Sequence, residues 1–196
     1  MTNIPKGKVF CLLCLSIVLA LAACGTAAPA EEPEAAKEHF ELGNDYSQNG
    51  EFEKAVEEYK KVLELEPQDV DAISNLGVAY YNLGQLDEAI EQYSKAIEIA
   101  PEDADIHSNL AAAHVQKYQL SGASDQLESA LDEYTEAIEL EPNLAEAHFG
   151  LGVVYILLQR NDDAILAFVR FQELDTGKDP LATENAVQYL EQLRGQ

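Results

Sequence analysis

Histidine and cysteine are the residues of this chain whose side chains most often bind metals or act as nucleophiles. His107 and His114 are seven residues apart, so both imidazoles would share one face of a helix. Cys11 and Cys14 have the spacing of metal and redox pairs, but they lie in an apolar stretch near the amino terminus. Since no third ligand accompanies either pair, we predict no metal site.

Other catalytic patterns are missing as well. No nucleophile, base and orienting group stand at a spacing that would bring them together, and no glycine-rich phosphate loop occurs. The 36 acidic residues lie mostly in helical patterns, where they solvate a surface. We therefore predict neither an enzyme nor a cofactor. Asn75 and Asn109, each within Ser-Asn-Leu, offer hydrogen bonding instead, because an amide both donates and accepts.

These residues lie in a repeat with a period of 34 residues. Leu-Gly at 42–43 recurs at 76–77 and 151–152, with Leu-Ala at 110–111 between them. An alanine and an aromatic residue follow in every copy: Ala55 and Tyr59, Ala89 and Tyr93, Ala130 and Tyr134, Ala164 and Phe168. The third copy carries seven extra residues within 117–128, which form either a tolerated surface extension or a lip beside a partner site.

The period, the helix–turn–helix pattern and these residue types resemble the tetratricopeptide repeat (TPR) family. The resemblance covers residues 36–178 and implies an all-α fold, a right-handed α-solenoid of about four TPR helix pairs plus a C-terminal capping helix. We expect the repeats at 36–69, 70–103, 104–144 and 145–178, and the cap helix at 179–196.

Local signals predict where the helices begin and end. Gly50 and Gly84 stand where the chain must reverse within a repeat. In the third copy we expect the first helix to run to Leu120 and Asp125 to cap the next. The other predicted N-caps are Asp69, Asp103, Asn143 and Asp179.

The resemblance also implies a concave groove lined by the first helix of each repeat. Asn75 and Asn109 fall at equivalent positions, similar to the asparagine ladders of some peptide-binding repeat proteins; ordinary helix-surface residues are the alternative. Related repeats that bind a C-terminal carboxylate use Lys and Arg here, and their absence disfavours that ligand. The candidate partner-binding residues are Phe40, Asn44, Ser74, Asn75, Val78, Tyr81, Ser108, Asn109, Phe149, Val153 and Ile156.

The first residues contain a second resemblance. Leu21-Ala22-Ala23-Cys24 is similar to the bacterial lipobox, and it follows two lysines and an apolar stretch too short to span a bilayer. The resemblance implies a lipoprotein signal peptide at 1–23, acylation of Cys24 and a tether at 24–35. An ordinary secretory signal and an uncleaved anchor are the alternatives. Because Gly25 and not Asp follows Cys24, the family pattern favours the outer membrane where one exists.

Charge narrows the choice of partners. The formal net charge is −24, and the predicted signal peptide contains only two of the cations, Lys6 and Lys8. Nucleic acid is excluded as a partner by repulsion from its phosphates. Anionic lipid headgroups would also repel the domain, so the bilayer is contacted through the acyl anchor alone. The acidity reflects either a solvated convex face or selection for a basic partner.

These observations favour a lipid-anchored scaffold in the cell membrane or outer membrane, facing the periplasm or exterior, that binds protein or peptide partners in an envelope assembly. A chaperone-like holder of extended or secreted polypeptides is the alternative, and it would bind many chains weakly where a scaffold binds one. An enzyme or metal-binding protein has the least support.

The anchor gives a direct prediction. Replacing Cys24 with Ser should abolish labelling by radioactive palmitate and release the domain from membranes, because the buried acyl CH₂ groups are lost. Membrane fractionation measures this, with Cys14→Ser as the matched control. Retention of the Cys24→Ser protein in the membrane fraction would contradict the lipoprotein assignment.

Overall fold

The computed structural model describes residues 31–175 and 178–195. Within these residues the chain forms nine helices and no strand. Four helix pairs follow one another, and a single helix comes last. The helices are α1 (Glu31–Gln48), α2 (Phe52–Leu65), α3 (Val70–Asn82), α4 (Leu86–Ile99), α5 (Ala104–Ser121), α6 (Ser124–Leu140), α7 (Ala145–Leu157), α8 (Asn161–Leu174) and α9 (Pro180–Arg194).

The pairs stack into a two-layered solenoid, as predicted. Each helix packs on its neighbours in the chain, and the first helices of successive pairs also touch: α1 on α3, α3 on α5, and α5 on α7. Helices α1, α3, α5 and α7 therefore form one continuous layer. We call its open side, outlined by the half-buried residues of these helices, the concave surface.

A glycine against an aromatic ring sets the distance between the two helices of a pair. A Cβ atom added to Gly43 would lie 2.6 Å from the ring of Tyr59, and one added to Gly77 would lie 2.7 Å from Tyr93. The fourth pair repeats this contact with Gly152 and Phe168 at 2.7 Å. Since real Cβ atoms do not approach rings so closely, no larger residue fits without a shift of the helices.

The helix ends agree with the sequence at most positions. Gly50 and Gly84 adopt φ of 74° and 71°, the left-handed conformation that glycine takes at little cost. The carboxylates of Asp69, Asp103 and Asp179 accept hydrogen bonds from backbone N–H groups of the following first turns. These predictions are confirmed.

Two predicted caps are wrong. Leu144, not Asn143, occupies the N-cap of α7, and the Asn143 amide oxygen accepts a hydrogen bond from Arg170 at 2.9 Å instead. Helix α6 begins at Ser124, so Asp125 lies in its first turn and makes no cap. A carboxylate there still interacts favourably with the helix dipole.

The seven extra residues lengthen the third helix pair. Helix α5 is five residues longer than α3, α6 is three longer than α4, and the connection between them is one residue shorter. The extension ends at Gly122, whose φ is 69°. Two contacts hold it: Lys117 pairs with Asp87 of α4 at 2.6 Å, and the His114 ring meets the Gln126 amide oxygen at 2.9 Å.

Helix α9 covers the end of the solenoid. Ala186 and Leu190 are buried against the last pair, and the ring of Tyr189 stacks on Phe168 with centroids 5.2 Å apart. This is the cap expected for a terminal repeat.

The predicted signal peptide and Cys24 lie outside the described residues. The described part of α1 begins at Glu31, so residues 31–35, which we expected in the tether, are helical. Across 31–175 and 178–195, none of the helices has the length and apolar character needed to cross a bilayer.

Replacing Leu190 with Ala should lower the free energy of unfolding by about 2–5 kcal/mol, because its side chain is only 3% exposed and fills the last core cluster. Leu181→Ala on the same helix is the matched control: Leu181 is 68% exposed, so its change should stay within about 0.5 kcal/mol. Urea denaturation followed by circular dichroism measures both. Equal effects would show that α9 does not cap the core.

Candidate functional site

The predicted groove residues lie on the concave layer, on α1, α3, α5 and α7. All of them are partly buried, which is the exposure expected of side chains beside an open groove. Some also belong to the core: the ring of Phe149 packs edge-on against Phe168 and Phe171 at centroid distances of 5.7 and 5.2 Å. Ile156 joins the same core cluster, and Phe40 packs on Tyr59.

The asparagines differ in how they are bonded. The amide oxygen of Asn44 accepts two hydrogen bonds, from the Tyr59 hydroxyl at 2.8 Å and from the Asn75 amide nitrogen at 3.3 Å. Asn75 thus connects the second repeat to the first. Within the described part of the chain no hydrogen-bond partner contacts the Asn109 side chain, so its donor and acceptor are free to bind a ligand.

A pocket of about 280 Å³ opens on the concave surface between the second, third and fourth repeats. It brings together three of the predicted groove residues, Tyr81, Phe149 and Val153. The other eight predicted residues do not line it. We call it the central pocket, and its lining is Tyr81, Ala112, Val115, Gln116, Gln119, Tyr134, Phe149, Gly150 and Val153.

Tyr134 and Gly150 form one part of the pocket that sequence reasoning missed. Gly150 occupies the repeat position of Asn75 and Asn109, and the tip of the Tyr134 ring lies so close that any side chain at 150 would overlap it. The third pair has Ala111 where the other pairs have the ring-covered glycine. The loss of that glycine and the break in the Ser-Asn-Leu pattern were the signals that could have identified this contact.

Tyr134 stays uncharged. Burial raises the pKa of its hydroxyl, and the nearby Tyr81 raises the pKa further. Burial likewise raises the pKa of Tyr81. None of the pocket-lining residues therefore carries a charge at neutral pH.

Gln116 gives the pocket an unusual polar group. Its amide oxygen is buried and has no hydrogen-bond partner among the described residues. Leaving such an acceptor unpaired costs about 1–3 kcal/mol, so a hydrogen bond from a ligand donor to this oxygen would be stabilising. The sequence contained no signal for it, because the pairing of one amide depends on the packing of several helices.

Two histidines of the first-helix layer make hydrogen bonds within the scaffold. His107 is 7% exposed; one ring nitrogen meets Glu133 of α6 at 2.6 Å and the other meets the carbonyl oxygen of Pro101 at 3.1 Å. His148 contacts the carbonyl oxygen of Pro142 in the same way at 3.1 Å. Among the described residues no three potential ligands are grouped around a metal site.

A comparison with protein families identifies the repeat family. The model of a TPR repeat matches residues 43–84, 79–117 and 123–159, which together make up more than half of the sequence. The chain belongs to the TPR repeat family. Proteins of this family are generally interaction scaffolds without catalytic activity. A comparison with curated protein sequences finds no match.

Several solved structures superpose on most of the chain. MamA is 26% identical, with 82% of this chain and 91% of MamA covered at a TM-score of 0.65. YrrB, described as a TPR protein with an unusual peptide-binding site, is 25% identical, and the match covers 85% of this chain and 79% of YrrB at a TM-score of 0.64. The first TPR of Spaghetti (RPAP3), bound to the HSP90 peptide SRMEEVD, is 25% identical. The match covers 64% of this chain and 94% of that structure at a TM-score of 0.59.

The pair of His39 and Glu58 makes the fold sensitive to acid. Burial alone would raise the pKa of Glu58, but hydrogen bonds from Lys61 and His39, together with their charges, lower it below the ordinary 4.5. Because the folded protein holds the carboxylate ionised, this stabilisation is present above pH 4.5 and is lost as the pH falls through the lowered value.

Glu58→Gln should therefore destabilise the domain at neutral pH and reduce the loss of stability on acidification, because the mutant has no carboxylate to protonate. Urea midpoints between neutral and acidic pH measure the effect. Glu57→Gln, at the exposed neighbouring position, is the control. Parallel pH profiles for Glu58→Gln and wild type would contradict the prediction.

Proposed function

We propose that this TPR protein is a lipid-anchored scaffold outside the cytoplasm whose concave surface binds an extended segment of a partner protein in a cell-envelope assembly. The observation that carries the proposal is the row of half-buried first-helix residues that includes the unpaired amide of Asn109 and leads into the central pocket. Amides and uncharged apolar walls side by side suit a peptide, which has both N–H and C=O groups and apolar side chains.

Two TPR structures similar to this chain are described with peptides. One has an unusual peptide-binding site, and the other holds SRMEEVD. That peptide carries three acidic side chains, whereas the central pocket has no cation and the whole chain has a net charge of −24. We therefore propose peptide binding for this chain with a ligand of different charge.

Anchoring through Cys24 would hold this surface close to the bilayer. The seven peptide steps from Cys24 to Glu31 span at most about 25 Å. The acidic domain would be repelled by anionic headgroups, so its concave surface would stay available to protein partners. This geometry favours a partner that is itself in or next to the membrane.

A chaperone-like holder remains the second candidate, because amides pair with any backbone regardless of sequence. The two functions differ in stoichiometry. A scaffold captures one partner at a fixed ratio, and a holder captures many unfolded chains.

Site-specific photo-crosslinking in intact cells tests the location of the binding surface. With p-benzoylphenylalanine in place of Ser108 on the concave surface, we expect one cross-linked partner, identified by mass spectrometry. The same probe in place of Glu136, exposed on second helix α6, is the matched control and should give none. A smear of many products from Ser108 would favour the holder, and products from Glu136 alone would overturn a concave binding surface.

The identified partner then tests the amides. Replacing Asn75 and Asn109 together with Ala should weaken its binding by about 1–3 kcal/mol for each partner group left unsatisfied. Asn75→Ala also removes the hydrogen bond to Asn44 between the first two repeats. The single variant Asn109→Ala leaves that bond in place, so it reports the effect on partner binding alone. Isothermal titration measures affinity, and circular dichroism checks the fold. Unchanged affinity with intact helicity would move the site elsewhere.

A further inference from the structure

The central pocket differs from the rest of the molecule in its charge. Charged residues make up 24% of the chain, yet the nine residues that line this pocket include none. Three of them are aromatic, two are valines, and the only amides are Gln116 and Gln119. A charged side chain placed there would lose its hydration without finding a counter-charge, which is unfavourable, whereas burial of an apolar side chain is favourable.

Its size restricts the occupant further. Sites for whole small molecules usually measure about 300–1,000 Å³, and the central pocket measures about 280 Å³. It is open to the concave surface on one side, as a pocket must be if it receives one side chain of a chain lying along the groove.

The floor of the pocket depends on one contact between repeats. The Tyr134 ring, carried by α6 of the third repeat, lies against the backbone of Gly150 in the fourth. An Asn at 150, as at the equivalent positions in the second and third repeats, would overlap the ring. The same glycine that admits the ring therefore removes one amide from the row and replaces it with an aromatic wall.

Gln116 completes the arrangement. Its amide oxygen is buried and unpaired, and the last torsion of a Gln side chain rotates freely. A rotation toward the pocket would bring this oxygen to the N–H of a bound peptide and satisfy it. Recognition of one peptide residue needs both groups. The apolar lining of the pocket contacts the side chain, and the unpaired acceptor binds the backbone N–H of the same residue.

We propose that the central pocket selects the ligand by accepting one uncharged aliphatic or aromatic side chain of an extended peptide, while Gln116 accepts a hydrogen bond from the backbone of that peptide. This inference rests on the proposed function of the concave surface. It adds the chemical class of the recognised residue and its place, between the second, third and fourth repeats.

Capped amino acids test the pocket without knowledge of the partner. The intact protein is titrated with N-acetyl-phenylalaninamide and N-acetyl-leucinamide, and amide TROSY spectra report the residues affected. We expect shifts at Gly150, Val153 and Gln116. The lysine and glutamate analogues should leave these signals unchanged up to millimolar concentration. Equal shifts from the charged analogues, or no shift from the apolar ones, would overturn the proposal.

Three variants distinguish an effect on the pocket from an effect on the fold. Ala112→Leu fills the pocket and should abolish the shifts, whereas Thr135→Leu, exposed on α6 and outside the lining, should retain them. Gln116→Met keeps the length of the side chain and removes the amide. It should weaken probe binding by about 2- to 12-fold while the melting temperature stays equal or rises, because a buried unpaired acceptor is gone. Weaker binding accompanied by a lower melting temperature would mark Gln116 as structural and overturn its role.

Failure of the central pocket and failure of the proposed function give different results. Cross-links from Ser108 without any response to the apolar probes would remove the central pocket and leave the concave binding surface. Probe binding together with cross-links from Glu136 alone would remove the concave surface as the partner-binding site and leave a pocket for apolar residues.

Discussion

The contact between a glycine of the first helix and an aromatic ring of the second is the constraint on which the rest of the structure depends. It fixes how closely the two helices of a pair approach. The first helices then form one layer and present their half-buried side chains side by side. Without Gly43, Gly77 and Gly152 the pairs would open, and the concave surface would lose its shape.

The third repeat departs from this rule, and the concave surface becomes asymmetric there. Ala111 takes the place of the glycine, the Tyr134 ring packs on the next repeat, and α5 and α6 are longer than their counterparts. The row of asparagines at 44, 75 and 109 ends in the third repeat, and Gly150 with the Tyr134 ring takes its place in the fourth. A repeated sequence thus produces a surface with two chemically different ends.

The sequence predicted the layout of the repeats well and the site only in part. Helix pairs, reversals at glycine and most caps follow from local rules, so Asp69, Asp103 and Gly84 behaved as expected. Asn143 did not, because Arg170, far away in the sequence, binds its side chain. The sequence did not predict the central pocket for the same reason. The roles of Gly150 and Gln116 depend on neighbours in other helices, and a pattern within one repeat contains no information about those contacts.

The boundaries between repeats are bridged by different chemistry. Asn75 bonds to Asn44 across the first boundary, whereas imidazoles bond to the carbonyl oxygens of Pro101 and Pro142 across the second and third. In a solenoid, stability is a sum of repeat terms and nearest-neighbour couplings. Of these three bridges, only the Asn75–Asn44 bond uses side chains of the concave row. A ligand that competes for this amide would change the coupling of the first repeat to the others, so the stiffness of the solenoid at its amino-terminal end would report whether the groove is filled.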